Sequence, residues 1–131
     1  MIRRDLVSIL DTAQSLAPAA RTASANGSTV DLHGYGSAMF VVEKGTITDG
    51  THTISAEESD DDSTWTAVAA ADLKGTFTAL TSSVTAKTNR VGYKGNKRYV
   101  RVITTVAGTT TGGVYGATVV RGHAEQTPLA A

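Results

Sequence analysis

Along most of the chain, apolar and polar positions alternate in short runs separated by glycine and polar clusters, the pattern of strands joined by turns. Residues 28–32 place Val30 and Leu32 on one side. Residues 37–43 are continuously apolar in the middle, as expected of a strand covered on both faces. In residues 51–58, His52, Ile54 and Ala56 share one face, and Thr51, Thr53 and Ser55 the other. The turn signals Lys44-Gly45 and Asp49-Gly50 lie between these runs, so the two are expected to form a hairpin. Residues 64–68, 74–80 and 90–93 predict further strands, with 81–88 a loop or weak strand. The clearest pair is 97–106, with Val100, Val102 and Val106 on one face, followed by 114–121 returning antiparallel.

The beginning of the chain has another period. Ile2, Leu6, Ile9, Leu10, Ala13 and Leu16 recur at spacings of three and four, which predicts one face of a short helix. Ala17-Pro18 disfavours its continuation, and the next residues are small and polar. Residues 1–26 are therefore expected to form an arm, part helical or extended, outside the core. Residues 27–123 would be the body and 124–131 an irregular tail. About seven or eight strands in one domain predict an all-β fold, a single antiparallel β-sandwich or barrel of jelly-roll type.

Composition agrees. The 131 residues suffice for one domain with its own core. Aromatics are only 5%, so that core must rest on Val, Ile, Leu and Ala with few rings. Charge is balanced, 12 basic against 12 acidic residues, which gives no electrostatic reason to expect nucleic acid and suits a subunit that packs against neighbours. There is no cysteine, so disulfides and thiolate chemistry are excluded. No apolar run approaches the roughly 20 residues that span a bilayer, and no membrane partner is expected. Arg3 and Arg4 run directly into Asp5, unlike a secretory leader.

Candidate chemistry is sparse. Glu57, Glu58, Asp60, Asp61 and Asp62 form the one carboxylate cluster, without the ligand ladder, central glycine and closing glutamate of a calcium loop; it reads as a solvated turn. His33, His52 and His123 sit in unlike contexts without metal spacing and read as surface or interface residues. Trp65 reads as core. Gly34-Tyr35-Gly36 and Gly112-Gly113 fit turns rather than a phosphate loop. Lys94, Lys97, Arg98 and Arg101, with Arg90 nearby and Tyr93 and Tyr99 interleaved, form the one basic patch, centred on a basic strand. In a repeating assembly the acidic turn of one copy could meet this strand on the next and fix register. No cofactor, metal or catalytic set is expected.

Five phrases carry a resemblance: T-I-T-D-G-T-H-T at 46–53, E-E-S-D-D-D-S-T-W-T-A-V at 57–68, A-A-D-L-K-G-T-F at 70–77, R-V-G-Y-K-G-N-K-R-Y-V-R-V at 90–102 and T-T-T-G-G-V-Y-G-A-T-V-V-R-G-H at 109–123. In this order they resemble a family of small structural proteins encoded among the head genes of tailed bacteriophages and prophages. The resemblance implies a virion component and supplies no catalytic residues. A capsid decoration (cement) protein fits that implication best: small, β-rich, often trimeric, clamping the major capsid protein from outside. A neck, tail or head-spike component and a host-surface-binding module are the alternatives, with an enzyme the least expected. The residues expected at subunit or capsid interfaces are Arg3, Arg4, Leu6, Ile9, Leu10 and Leu16 of the arm, Arg98 and Arg101 of the basic strand, and Asp60, Asp61 and Asp62 of the acidic turn.

Overall fold

A computed structural model describes residues 4–130. It contains ten strands: β1 (Asp11–Arg21), β2 (Ala25–Asn26), β3 (Val30–Asp31), β4 (Tyr35–Ile47), β5 (Thr51–Ser59), β6 (Thr66–Ala67), β7 (Leu73–Lys74), β8 (Thr88–Tyr93), β9 (Tyr99–Ala107) and β10 (Gly113–Ala124). A single 3-10 turn, Ala70–Asp72, precedes β7. The strands form two antiparallel sheets. The first has the order β1-β10-β4-β8-β7; the second has the order β2-β9-β5-β6, with β3 also on β9. The fold is an all-β sandwich, as the pattern of alternation predicts.

Alternation decides what fills the space between the sheets. From the first sheet come Phe40 and Val42 of β4, Val91 and Tyr93 of β8, and Tyr115, Ala117 and Val119 of β10; from the second come Ile54 and Ala56 of β5 and Val100 and Val102 of β9, all buried. Phe40 lies at the centre, with its ring 5.8 Å from Phe77 and 6.1 Å from Tyr93. Phe77 and Leu80 reach the core from an irregular stretch, since of the expected 74–80 strand only Lys74, in β7, and Leu80, in a single bridge to His52, are paired.

The connections differ from the expected hairpins. β4 pairs with β8 and β10, and β5 with β6 and β9. The turn at 48–50 therefore carries the chain from one sheet to the other. The link from β9 to β10 does the same. Each is an arch whose two strands face one another across the core. The arches are fastened together: the Asp49 carboxylate accepts the backbone N–H groups of Thr110, Thr111 and Gly112, and Thr48 N–H donates to Gly112 O at 2.9 Å. Turn residues announce a reversal, but the register of distant partners decides whether that reversal is a hairpin or an arch.

The expected arm is largely sheet. β1 lies along β10 from Gly113 to Arg121, and Leu16 is buried in the core rather than offered to a partner. A bulge explains the misleading period. Between Gln14 and Leu16 the register shifts, so β1 advances two residues while β10 advances one from Thr118 to Ala117. Ala13 and Leu16, three apart, thus both turn inward, which imitates a helical spacing. A second shift falls between Leu16 and Ala19, around Pro18, which has no N–H to give the ladder. What remains of the predicted helix is one turn: Leu10 N–H donates to Leu6 O at 2.9 Å, and the Asp5 carboxylate accepts Ser8 N–H at 2.9 Å. The C-terminal stretch is tied to it, Leu129 N–H donating to Ser8 O at 2.9 Å.

Ser15, the bulged residue, sews the two sheets together. Its buried hydroxyl accepts Val102 N–H and donates to Ser28 O, both at 2.9 Å. Gly27 passes through the same place, and a side chain there would collide with Ser15 Oγ. The sheet margins are thus bulged (β1), interrupted (β2 and β3) or two residues long (β6, β7), which suppresses growth by strand addition. Contacts with other molecules are left to faces and turns.

Candidate functional site

The acidic turn follows β5 and is built by its own hydrogen bonds. The Asp61 carboxylate accepts N–H from Ser63 at 2.9 Å and Thr64 at 2.8 Å and the Ser59 hydroxyl at 3.0 Å; the backbone bonds foremost hold its pKa below the usual carboxylate value. Asp62 adopts a positive φ of 59° and accepts the Thr29 hydroxyl at 2.6 Å. Asp60 pairs with Lys97 at 2.7 Å. No group of three His, Asp or Glu side chains among the described residues could hold a metal ion.

The basic strand is committed within the chain. Arg98 grips Asp31 through two hydrogen bonds of 2.9 Å each and stacks on Tyr99, 5.0 Å from the ring centre. The Arg98 hydrogen bond brings the Asp31 pKa down to about 2. Arg101 pairs with Glu57 at 2.6 Å and lies 4.3 Å over the Trp65 ring. Trp65 is accordingly half-buried on the outer face of the second sheet, not in the core. Arg98 and Arg101 therefore have partners of their own, and the expected handshake between them and the acidic turn of a neighbour would have to break those pairs.

The histidines separate into two kinds. His52 is wholly buried, against expectation: Nδ1 lies 2.8 Å from the Tyr115 hydroxyl and Nε2 3.1 Å from Asp49 O. His33 and His123 are exposed. His123, at a φ of 50°, meets the Ser37 hydroxyl at 2.8 Å. This serine–histidine pair is a cross-strand contact between β4 and β10. Among the described residues no carboxylate is hydrogen-bonded to the other ring nitrogen, as an oriented catalytic base would require. It stands between a polar cleft of about 280 Å³, lined by His33, Tyr35, Asn96, Lys97 and Arg98, and a more apolar one of about 340 Å³ beneath the terminal turn.

The terminal turn is the most apolar exposed feature. Leu6 is 60%, Val7 52% and Ile9 48% exposed. Leu10 is half-buried, set over Gly122 of β10. Arg4 is exposed beside them, and Arg3 lies outside the described residues. Of the interface residues expected from sequence, Arg4, Leu6 and Ile9 are free to meet a partner, and so are Asp61 and Asp62.

Sequence reasoning missed two groups. Asp11, Tyr35 and Arg121 cluster where β1, β4 and β10 meet: the Tyr35 hydroxyl donates to Asp11 at 2.9 Å, Arg121 pairs with the same carboxylate, and its guanidinium covers the Tyr35 ring at 4.6 Å. The Tyr35 hydrogen bond is the largest cause of the lowered Asp11 pKa. The second group is a set of cations on the outer face of the first sheet, Lys74, Arg90 and Lys94. Arg90 and Lys94 were visible in the sequence as part of the basic patch, but their grouping with Lys74 follows only from the β7–β8 register. Comparison with protein-family models, curated proteins and solved structures gives no match to this chain.

Proposed function

We propose that this chain is a structural protein of a tailed-phage particle: a capsid decoration protein, located on the virion, that binds the outer surface of the major capsid protein shell and clamps neighbouring capsomers. Its partners are that capsid protein and further copies of itself, with a trimer favoured. The observation that carries this reading is the terminal turn, where Leu6, Val7 and Ile9 stand in solvent on a segment that runs into β1 and is tied to the C-terminal stretch through Leu129 N–H and Ser8 O. Three exposed apolar side chains on a fixed support are a docking element, each contributing about 1 kcal/mol or more when covered. Weak contacts of this size hold a shell when several act together, because each raises the effective concentration of the next. The neutral charge and the blunted sheet margins suit a subunit that must pack closely without polymerising through its strands.

The test is the ratio of this protein to the major capsid protein in purified particles, by quantitative mass spectrometry. About one copy per capsid subunit is expected. A few per cent would move the protein to the neck, tail or spike, and absence would remove it from the particle. With Leu6, Val7 and Ile9 all changed to Ser, occupancy should fall and particles should burst at lower temperature; equal occupancy and survival would overturn the clamp.

A further inference from the structure

Four ion pairs join charged side chains within the described residues, and they leave positive and negative groups unmatched in different places. Three of the positive ones, Lys74, Arg90 and Lys94, gather on the outer face of the first sheet. Lys74 of β7 lies opposite Gly92 of β8, and a Cβ built at Gly92 would stand 3.3 Å from the Lys74 Cβ. Arg90 and Lys94 are two residues to either side of Gly92 and share its side of the sheet, since Val91 and Tyr93 between them are buried. The three cations thus surround a position with no side chain. Along the same rows, Met39 lies opposite Gly92 and Val41 opposite Arg90, both half-buried. The result is a basic hollow with an apolar floor beside it.

Two of the unmatched negative groups stand side by side on the acidic turn. Asp61 and Asp62 are exposed and have no cationic partner among the described residues. Their geometry is set in advance by the hydrogen bonds to Ser59, Ser63, Thr64 and Thr29, so binding there would order little that is not already ordered. The two features cannot satisfy each other within one chain. The turn belongs to the second sheet, whereas the cations point outward from the first, with sheets of a sandwich about 10 Å apart.

We propose that a second copy of this chain seats its acidic turn, through Asp61 and Asp62, on the basic hollow formed by Lys74, Arg90 and Lys94 around Gly92, with Met39 and Val41 covered alongside. Turn and hollow are different surfaces, so the contact is head-to-tail and repeats from copy to copy, closing into a ring where the rotation allows. Charge complementarity selects the partner and its register, and the apolar floor adds area. This names the self-contact surface within the virion reading above, but it concerns the isolated protein and can fail independently of it.

The experiment is sedimentation of the purified full chain over a range of concentrations at low and high ionic strength. Association is expected at low salt and should weaken when salt screens the exposed charges. Lys74→Glu/Arg90→Glu should weaken it at least tenfold, as should Asp61→Asn/Asp62→Asn, whose amide oxygens can still accept the turn's hydrogen bonds. Mixing Lys74→Glu/Arg90→Glu with Asp62→Lys should restore a complex that neither forms alone. A wild-type chain that stays monomeric throughout, or association that survives both double substitutions, would overturn the proposal. So would a monomer that instead binds a labelled single-stranded oligonucleotide through the same three cations. Circular dichroism guards against misfolding in the reversal variant, and the asparagine variant carries the test if that variant does not fold.

Discussion

The buried Glu58 carboxylate on β5 accepts a 2.6 Å hydrogen bond from the Tyr93 hydroxyl on β8, so the two sheets are joined by a polar contact beside the apolar core. Tyr93 Oη in turn accepts Lys97 N–H at 3.1 Å, which ties in the β8–β9 turn. Burial, and after it the Glu58 bond, push the Tyr93 pKa well above the usual 10.0. The folded state therefore keeps a proton that the unfolded chain loses. This contribution is complete below pH of about 10 and disappears as pH rises beyond it. Alkaline titration followed by tyrosinate absorbance should show Tyr93 ionising together with unfolding. Tyr93→Phe leaves Glu58 without its partner and should cost about 2–3 kcal/mol in denaturant unfolding.

Asp49 offers a test of the two arches. Its carboxylate takes three successive backbone N–H groups, and the bond from Gly112, at 2.7 Å, is foremost in lowering its pKa. A lowered folded-state pKa gives stability that is present above the unfolded value of 3.8 and is lost as pH falls through the folded one. Hydrogen exchange at Thr110, Thr111 and Gly112 should therefore quicken below pH of about 4 relative to the intrinsic rate. Asp49→Ala should quicken the same three amides at neutral pH, with the β5–β9 ladder unaffected.

Arg101 is held by Glu57 and Trp65 together. Arg101→Ala should lower stability by about 1 kcal/mol through lost stacking and pairing, and should shift Trp65 fluorescence to longer wavelength as the ring meets water. Arg101→Glu places two carboxylates opposite each other on β5 and β9, and its melting temperature should fall further. Charge reversal at Arg101 thus reports on the fold, and loss of assembly in that variant would say nothing about a subunit interface.

Much of the sandwich was legible because β5 and β9 are long and alternate closely, and β4 and β10 are long and apolar. Their partners were not, since local turn residues such as Asp49-Gly50 look the same in a hairpin and in an arch. β1 was hidden by its bulge, which gives Ala13 and Leu16 a helical spacing in an extended strand. The same division holds for the surfaces. Leu6, Ile9 and the acidic turn could be picked out by composition, but that Arg98 belongs to Asp31 depends on β3 lying beside β9, a register between residues far apart in sequence. His52 was misplaced for a related reason: alternation put it on the inner face with Ile54 and Ala56, and only the hydroxyl of Tyr115 makes that position tenable.

That hydroxyl is the midpoint of a buried chain of hydrogen bonds. Asp49 O can only accept, so His52 Nε2 carries the proton and Nδ1 accepts from Tyr115 Oη. Tyr115 Oη then receives the Thr104 hydroxyl at 2.7 Å, so that it both donates and accepts within the chain. Tyr115→Phe removes the shared member and strands two buried groups in an apolar setting, so unfolding free energy should fall by about 2–4 kcal/mol. Thr104→Val alone removes a donor and leaves the Tyr115–His52 bond, and should cost about 1 kcal/mol. The double variant should cost less than the sum, because with Val at position 104 the loss of the Tyr115 hydroxyl strands His52 alone. Strict additivity in denaturant unfolding would mean that the three groups act separately and that the chain does not couple the sheets.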